Sequence, residues 1–594
     1  MTISLALISV VAFSACNKSK SSETSSPQSS VNTKDVYTGP YSGPADSIAN
    51  TKAEVGGVLT TWGGEYPKSL NYWLDPNSFS GEVMGLLYEP LAQLHSTQNE
   101  AVGVLAESWT ISDDKKTFIF KLNPQAKWSD GHALGAEDVQ FYYDVIQDPK
   151  NLTPIFKVGL SRFERPEVID SVTLKVVAKE VHWSNFWEVA GMMAFPKHVW
   201  EKQNFNDMHF DFSVVSGPYK IKEIKQNRVL NLERRNDWWG RVKAWNLHKY
   251  NFAEIRYKFM ADQIKVLEAF KKGDLDVYPV YTAKLWVHQT DFEATQKNWV
   301  IKQKIFNEMP KGFQGYAFNL RKEKFQDPKV RKALAFLYNR DLMNEKLMDR
   351  QYFMLNSFYP DLYKNDSENQ FVQKYNLDSA RILLAQAGYK VNAKGILEKN
   401  GKPFEITFLE SNPDLRHLNL FVEDLKKVGI LAKIDQLSQS SIRKKVDQFD
   451  FDLHQMAFGG SRLRDPEPMW QGAQAKVNGS ANIAGVQDRQ IDSLIQAQKS
   501  ENDLNKRNQI LKAIDQRLLA IQPFILSWAN NNTRLLYWNK FSTPQYVLDK
   551  YNGHDMIVTY WSENTEKNKS LVAAKSDKKA LESNPSEVYW KANP

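Results

Sequence analysis

Cysteine is nearly missing from this 594-residue chain, in which Cys16 is the single one. A disulfide framework within the chain is therefore excluded. Long apolar runs are missing as well, since no stretch approaches the roughly 20 residues that span a bilayer. Charge of one sign does not dominate either. The formal net charge is +8, and basic and acidic residues are interleaved, so there is no basic stripe and we expect no nucleic-acid partner.

What is present is the composition of an ordinary globular protein, with 42% apolar and 25% charged residues. The length exceeds what one hydrophobic core holds, so we expect two or three lobes. Aromatic residues are plentiful, with 17 Trp, 24 Tyr and 32 Phe. They indicate either large core side chains or an aromatic-lined pocket, and the sequence leaves both interpretations open.

The first apolar run, residues 3–15, has the length of the hydrophobic region of a signal peptide. It ends in Phe-Ser-Ala-Cys at 13–16, which resembles a bacterial lipobox and predicts a signal peptide over residues 1–16. The resemblance implies cleavage before Cys16, lipidation of its thiol and tethering to a membrane. The usual charged segment before the apolar run is missing, because residues 1–16 contain no Lys or Arg. The alternative is an unmodified cysteine near the terminus.

Polar segments flank the globular part of the chain. Residues 17–54 are rich in Ser and contain Gly-Pro pairs, and we expect a flexible linker because few apolar residues are available to offset its ordering entropy. Residues 564–594 are again polar and rich in Lys and Ser, which predicts a loosely held C-terminal tail.

Helices and strands alternate irregularly between these ends. Alternating apolar residues predict strands at 118–122, 172–176 and 404–408. Asp327 as the N-cap and Pro328 at the first helical position predict a helix whose apolar residues recur at helical spacing. The same reasoning predicts helices after Asp378 and from Asp262 to Gly273. The fold class is therefore mixed α/β.

Several short blocks follow one another in a recognisable order. They are GVLT at 57–60, LYEPL at 87–91, LAESW at 105–109, KWSDG at 127–131, AEDV at 136–139, SGPY at 216–219 and LEAF at 267–270. In this order the chain resembles the family 5 extracellular solute-binding proteins, the dipeptide- and oligopeptide-binding group, over residues 55–563. The Trp pair at 238–239, YNF at 250–252 and FDFD at 449–452 look most similar to the branch associated with microcin C and with peptidoglycan-derived peptides.

The resemblance implies the type II periplasmic-binding-protein fold in its large three-lobed form, with two main lobes closing on a central cleft and an extra subdomain. Lobe I would combine residues 55–95, 215–308 and 520–563, lobe II would be 96–214, and lobe III would be 309–519. It further implies a monomer that captures an oligopeptide or peptide-like ligand and delivers it to an inner-membrane ABC permease. We expect no cofactor, no metal and no catalytic residue.

In many members of this family an acidic residue in lobe III pairs with the α-ammonium of the peptide. Alignment puts Ser461 at that position, followed by Arg462, Arg464 and Asp465. The two guanidinium groups would favour a carboxylate or phosphate and disfavour a free amine. Either Asp465 replaces the acid, or the ligand N-terminus is bound differently, or both arginines point to solvent. Other cleft candidates, for each of which core packing is an equal alternative, are Trp62, Tyr66, Tyr316, Asn319, Tyr359, Trp470 and Trp528.

An enzyme is the main rival class. The sequence has no Gly-x-Ser-x-Gly elbow, no His-Glu-x-x-His, no phosphate-binding Gly-rich loop and no dinucleotide fingerprint. Ten histidines are scattered without a close metal-ligand pair, which gives little support to nickel or haem, although some relatives of the fold bind them. The remaining alternatives are a binding protein for a metal complex, haem, opine or sugar derivative, and a sensory lipoprotein without transport.

Overall fold

The computed structural model describes residues 35–38, 45–363, 372–411 and 414–591. Cys16, the predicted signal peptide and most of the predicted linker lie outside these residues. The chain forms two compact units, of which the smaller is Pro310–Asn531 and the larger combines the described residues before 310 and after 531. The predicted mixed α/β class is confirmed by both units. Residues 520–531, which the resemblance assigned to lobe I, lie in the smaller unit.

The smaller unit is built on a five-stranded sheet. Its strands are, in spatial order, Leu431–Gln436, Glu405–Glu410, Leu453–Phe458, Phe313–Phe318 and Phe524–Leu526. The first three run parallel, and Phe313–Phe318 is antiparallel to both of its neighbours. The helices of this unit are Pro328–Phe336, Arg340–Leu347, Leu377–Gln386, Arg416–Lys426, Gln439–Asp447, Glu467–Trp470, Arg489–Lys499 and Leu504–Ile521.

Two helices of this unit were predicted from their starts. Pro328–Phe336 begins as expected, because the Asp327 side chain accepts the backbone N–H of Lys329. The second helix, Leu377–Gln386, is capped by Asn376, whose side chain accepts the backbone N–H of Ser379, so Asp378 lies inside its first turn. An amide at the N-cap satisfies the same free backbone N–H groups as an aspartate does.

The larger unit contains three sheets of four or five strands. One is antiparallel, in the order Asp35–Thr38, Ala106–Ile111, Thr117–Leu122, Thr173–Val177 and Glu167–Asp170. The second has the order Val58–Trp62, Glu254–Lys258, Val229–Arg234 and Tyr219–Lys225, and the third Val277–Pro279, Thr533–Trp538, Val300–Phe306 and Glu587–Tyr589. The longer helices are Ser78–Leu87, Ala136–Gln147, Pro154–Leu160, Gln263–Lys271 and Thr565–Ser576, and the shorter ones Asn185–Ala190, Lys197–Trp200, Ala283–His288, Glu293–Gln296 and Ile557–Tyr560.

Each unit has an aromatic-rich core of its own. In the smaller unit Phe313 packs against Phe358, Trp470 and Phe524, with ring centroids 4.9, 5.9 and 5.3 Å away. In the larger unit Phe270 packs against Tyr278 and Trp538. Much of the aromatic content is therefore core. Among the described residues no helix is long and apolar enough to cross a membrane.

Both polar ends of the chain carry structure that their composition did not indicate. Within the predicted linker, Asp46 and Ile48 are buried, and the Asp46 carboxylate lies 2.6 Å from the Lys249 ammonium. Within the predicted tail, the helix Thr565–Ser576 buries Leu571, and the strand Glu587–Tyr589 pairs in parallel with Val300–Phe306. A few well-placed residues attach these segments, and average composition does not detect them.

Candidate functional site

An acidic and aromatic cluster lies in the larger unit, and we call it the Glu82 cluster: Glu82, Tyr257, Tyr281, His554 and Asp555. Glu82 lies on the helix Ser78–Leu87 and Tyr257 on the strand Glu254–Lys258, whereas His554 and Asp555 belong to the 3₁₀ turn His554–Met556. Residues from three regions far apart in sequence thus meet at one place.

Hydrogen bonds connect the members of the Glu82 cluster in pairs. The hydroxyl of Tyr257 donates to Glu82 Oε1 over 2.7 Å. The hydroxyl oxygen of Tyr281 lies 3.0 Å from His554 Nε2, and the two rings meet edge to face at 5.7 Å. Tyr281 nevertheless remains 49% exposed, so part of this side chain is accessible at the edge of the cluster.

Burial shifts the pKa values of Glu82 and His554 toward the uncharged forms. It raises the pKa of Glu82 to about 8, with a further rise from the charge of Asp555, against a lowering by the Tyr257 hydrogen bond. Burial also lowers the pKa of His554, which keeps the imidazole neutral at neutral pH. At neutral pH the Glu82 carboxyl therefore holds a proton that an approaching cation would displace.

Two of the predicted site residues are aromatic side chains of the larger unit, and one of them contacts the cluster. Trp62 contacts Tyr281 and Tyr278 at centroid distances of 6.0 and 5.9 Å, and its indole N–H donates to the Met260 carbonyl. Tyr66 stacks on Phe210 at 5.6 Å and is only half-buried. The structure thus places Trp62 beside the Glu82 cluster, and both Trp62 and Tyr66 keep part of their surface accessible.

A charged group of the smaller unit contains the predicted Arg464. The Asp361 carboxylate accepts the Lys311 backbone N–H at 2.6 Å and lies 3.4 Å from Arg464 Nη2 and 3.5 Å from Lys311 Nζ. A single carboxylate thus lies beside two cations, and the negative charge of Asp361 partly neutralises the positive charge of Arg464. This partner was not foreseen, and it weakens the expectation that Arg464 attracts a ligand anion.

Close backbone contact holds this charged group in place. A Cβ atom at Gly312 would collide with the Phe458 carbonyl, and one at Gly460 with the backbone of Pro310. Glycine at both positions therefore lets residues 310–312 run against 458–460. The same approach brings Lys311 close to the loop that carries Arg464.

Ser461 and Asp465 of the predicted 461–465 segment make hydrogen bonds with nearby backbone. The Ser461 hydroxyl donates to the Leu463 carbonyl at 2.7 Å and accepts the Leu463 N–H at 3.1 Å. Asp465 Oδ1 accepts the N–H of Glu467, at the start of the short helix Glu467–Trp470. Arg462 is half-buried. Ser461 and Asp465 thus shape the loop, which is what short hydroxyl and carboxylate side chains do in turns.

The remaining predicted residues of the smaller unit are mostly buried. Tyr316 is 2% exposed among Tyr338, Phe408 and Phe421. The Asn319 amide is fully buried and donates to the carbonyls of Phe449 and Phe451. These two residues belong to the core of the unit, because the Tyr316 ring packs among other rings and the Asn319 amide donates to backbone carbonyls.

Tyr359, Trp470 and Trp528 are packed in a similar way. Trp470 is 1% exposed, and its indole N–H donates to the hydroxyl of Tyr359, a half-buried residue, at 3.0 Å. Trp528 is 7% exposed and stacks on Tyr338, with His417 on its ring at 5.1 Å. Of these three residues Tyr359 alone is half-buried, and the other two are buried.

Sequence reasoning missed Glu82, Tyr281, His554 and Asp555. Glu82 stands on an amphipathic helix, where a polar residue is usually assigned to the solvent side. A local signal existed for the C-terminal members only, since His554-Asp555 follow Asn552-Gly553 in a turn, and turns often carry functional residues. No local pattern links these positions to Glu82.

The comparisons with known proteins agree on one family. The profile of the bacterial extracellular solute-binding proteins, family 5 (middle region), matches residues 100–480. The chain is 27% identical over 566 residues to a probable peptide-binding protein YejA of Agrobacterium fabrum, covering 86% of this chain and 90% of that protein. It is 25% identical to a peptidoglycan-binding protein YepA of the same organism, and the match covers 71% of this chain and 76% of that protein.

Solved structures share the fold. The oligopeptide-binding protein AppA of Bacillus subtilis, in complex with a nonapeptide, superposes with a TM-score of 0.73 at 22% identity over 86% of this chain and all (100%) of that chain. NikZ of Campylobacter jejuni, in complex with Ni(L-His), superposes with a TM-score of 0.68 at 20% identity over 85% of this chain and 99% of that chain. The predicted type II periplasmic-binding-protein fold is thereby confirmed.

The class of protein is thus a solute-binding protein of the kind that serves ABC importers. Because the profile matches more than half of the chain, the chain belongs to family 5 of the bacterial extracellular solute-binding proteins.

Proposed function

We propose that the protein captures an oligopeptide or peptide-like ligand outside the cytoplasm, delivers it to an ABC permease and catalyses no reaction. Family membership and the relatives named for peptide and peptidoglycan binding support this proposal. The single observation that carries the ligand class is the Glu82 cluster, which combines two carboxyl groups with accessible aromatic rings. A peptide offers the matching groups, an ammonium at its end and apolar side chains.

In this proposal Glu82 receives the α-ammonium of the ligand. An ammonium beside the carboxyl favours its ionised form, so the pKa of Glu82 falls from about 8 on binding and the proton leaves to solvent. The rings of Trp62 and Tyr281 would then contact the first side chain of the ligand. Because the empty site holds a proton that the complex lacks, affinity should rise with pH while the ligand ammonium stays charged.

The ligand class is tested by native mass spectrometry of the chain from Asn17 onward, purified gently and then denatured to release what it carries. Short peptides whose masses differ by residue units would support the proposal. A single non-peptide compound, such as a metal complex or an opine, would overturn the peptide assignment and leave the family untouched. Residues 45–54 stay in this protein because Asp46 is part of the folded unit.

The role of Glu82 is tested by calorimetric titration with a peptide from that mixture and with its N-acetylated form. For the free peptide we expect affinity to rise from pH 6 to pH 7.5, below the ammonium pKa of about 7.7–8.0. Glu82→Gln should weaken binding about tenfold to a hundredfold and remove the pH dependence. Glu201→Gln, an exposed glutamate, is the matched control. Equal affinity for the acetylated peptide would contradict the ammonium assignment.

We also propose that the mature protein is a lipoprotein that begins at Cys16. The lipobox resemblance supports this proposal, and so do relatives whose family is extracellular. A sensory role without transport remains the alternative to delivery. Growth on the identified peptide as sole nitrogen source separates the two, because only a transport protein is needed for uptake.

A further inference from the structure

Two histidines that are far apart in sequence lie together in the larger unit. His132 and His198 stack with ring centroids 4.3 Å apart, and Asp130 lies between their nitrogens. One oxygen, Asp130 Oδ2, is 3.1 Å from His132 Nδ1 and 2.7 Å from His198 Nε2. The sequence predicted no metal ligands because 65 residues separate the two histidines, and only the fold reveals the group.

The three donor atoms have the spacing of one face of a metal coordination sphere. All three lie within 4.8 Å of one another. Ligands at about 2.0–2.2 Å from a tetrahedral ion are about 3.3 Å apart, so the observed spacing requires only small adjustments. Two imidazoles and a carboxylate are a donor set that suits zinc, nickel or copper, and not calcium or magnesium.

Backbone geometry fixes the part of the site that carries Asp130 and His132. They lie in a tight turn in which Trp128 N–H donates to the His132 carbonyl at 2.9 Å and Gly131 has a φ of +91°, a value that favours glycine. Asp130 Oδ1 accepts the His132 N–H at 3.1 Å. The second carboxylate oxygen therefore remains directed at the histidines.

The buried Asp138 connects this turn to the helix Lys197–Trp200, which carries His198. One of its oxygens accepts the Trp128 indole N–H at 3.2 Å and the Gly135 N–H at 3.0 Å, and the other accepts the Lys197 N–H at 3.2 Å. A single buried carboxylate thus ties together the two segments that carry the proposed ligands. This connection fixes the backbone positions from which Asp130, His132 and His198 extend.

The site is accessible to an ion from solvent. The side chain of His132 is 64% exposed, and those of Asp130 and His198 are each 29% exposed. The bridging carboxylate can also be explained without a metal, as a hydrogen-bonded contact with the two imidazoles. The two explanations differ in what they predict when a transition-metal ion is added.

We propose that Asp130, His132 and His198 form a binding site for one divalent transition-metal ion of the zinc, nickel and copper group, with water completing the coordination. The ion links the 127–133 turn to the helix Lys197–Trp200 and stabilises this part of the larger unit. This proposal does not depend on the peptide proposal, since it involves none of the residues of the Glu82 cluster.

The test uses the chain from Asn17 onward, without an affinity tag and after treatment with a chelator. Calorimetry and native mass spectrometry with ZnCl₂ and NiCl₂ should give one bound ion per chain. We expect His132→Ala and His198→Ala each to weaken binding by at least about tenfold. His288→Ala removes an exposed histidine outside the site and should leave binding unchanged. Added zinc should raise the melting temperature of the wild type and of His288→Ala only.

Three results would overturn the proposal: no stoichiometric ion at millimolar ZnCl₂, binding that survives both substitutions, or equal binding of calcium. Circular dichroism of the metal-free variants guards against misfolding, because both histidines are surface residues and their replacement should leave the spectrum intact. If a variant does misfold, X-ray absorption of the zinc-loaded wild type decides, since two imidazole ligands are expected there.

Discussion

Buried ionisable side chains of this protein differ in charge according to the partners that surround them. Burial alone raises the pKa of Asp46, but the Lys249 ammonium and its hydrogen bond outweigh burial, and the pKa lies below its ordinary value. Glu89 is buried too, yet its carboxyl faces the indole N–H groups of Trp238 and Trp239. Burial dominates there and raises the pKa of Glu89 to about 8.

The Asp46–Lys249 pair should contribute to stability as a unit. Asp46 also accepts hydrogen bonds from Ser96 and Tyr560, each at 2.8 Å. Asp46→Asn removes the carboxylate in contact with the buried Lys249 ammonium, so we expect the free energy of unfolding to fall by about 3–5 kcal/mol. Urea denaturation provides the measurement. The double variant with Lys249→Met should lose less than the sum of the single changes, and additive losses would contradict the pairing.

Glu89 should make stability depend on pH. Its pKa is about 8 in the folded protein against an ordinary value of 4.5, so the folded state binds the proton more tightly than the unfolded state. This contribution is fully present below about 4.5 and is lost as the pH rises towards 8. Unfolding free energies measured across that range should therefore decline. Glu89→Gln, which cannot titrate, should flatten the decline, and an unchanged slope would rule Glu89 out as its source.

At the scale of elements, helix starts depend on which side chain reaches the free backbone N–H groups. Asp327 caps Pro328–Phe336, whereas Asp378 lies inside Leu377–Gln386 and makes an exposed contact of 3.3 Å with Arg381. Two aspartates that looked equivalent in sequence thus have different roles. The cap satisfies orphan backbone donors, and the exposed ion pair is screened by solvent.

This difference predicts unequal effects of two matched substitutions. Asp327→Ala removes the N-cap acceptor and should lower the free energy of unfolding by about 1 kcal/mol. Asp378→Ala leaves the Asn376 cap in place and should change it by less than about 0.5 kcal/mol. The two variants are compared by denaturant unfolding, with the same dependence of the unfolding free energy on denaturant concentration used for both. Equal losses would show that capping does not account for the position of the second helix.

At the scale of the whole molecule, the chain belongs to one family and forms two compact units. Along the sequence it passes from the larger unit to the smaller one and then back again. The described residues before 310 and after 531 belong to the same unit. The larger unit also includes residues 45–54, which are attached through Asp46.

The proposed lipid anchor can be measured on the intact protein in cells. Cys16→Ser removes the thiol that would be lipidated, so we expect the variant to move from the detergent phase to the aqueous phase on Triton X-114 partition. Each buried acyl methylene contributes about 0.8 kcal/mol to membrane affinity, which makes the change large. Incorporation of labelled palmitate should be lost in parallel. Wild-type protein found in the aqueous phase would contradict the anchor.

Local physics determined much of the fold from the sequence alone. Alternating apolar residues predicted the strands Thr117–Leu122, Thr173–Val177 and Glu405–Glu410, and the Asp327-Pro328 start predicted its helix. These features depend on neighbours within one or two turns of the chain, so no tertiary information was needed. The ordered blocks of residues likewise sufficed for the family.

Tertiary structure alone decided which distant residues meet. Three contacts join residues that are far apart in the sequence, so no periodic pattern of the sequence could predict them. They are Asp46 with Lys249, Glu82 with the 554–555 turn, and His132 with His198. Burial also decided that Tyr316 and Asn319 serve the core, although their residue types would suit a binding site equally well. A polar or aromatic side chain carries the same chemistry in either place, and only the packing around it determines whether a ligand can reach it.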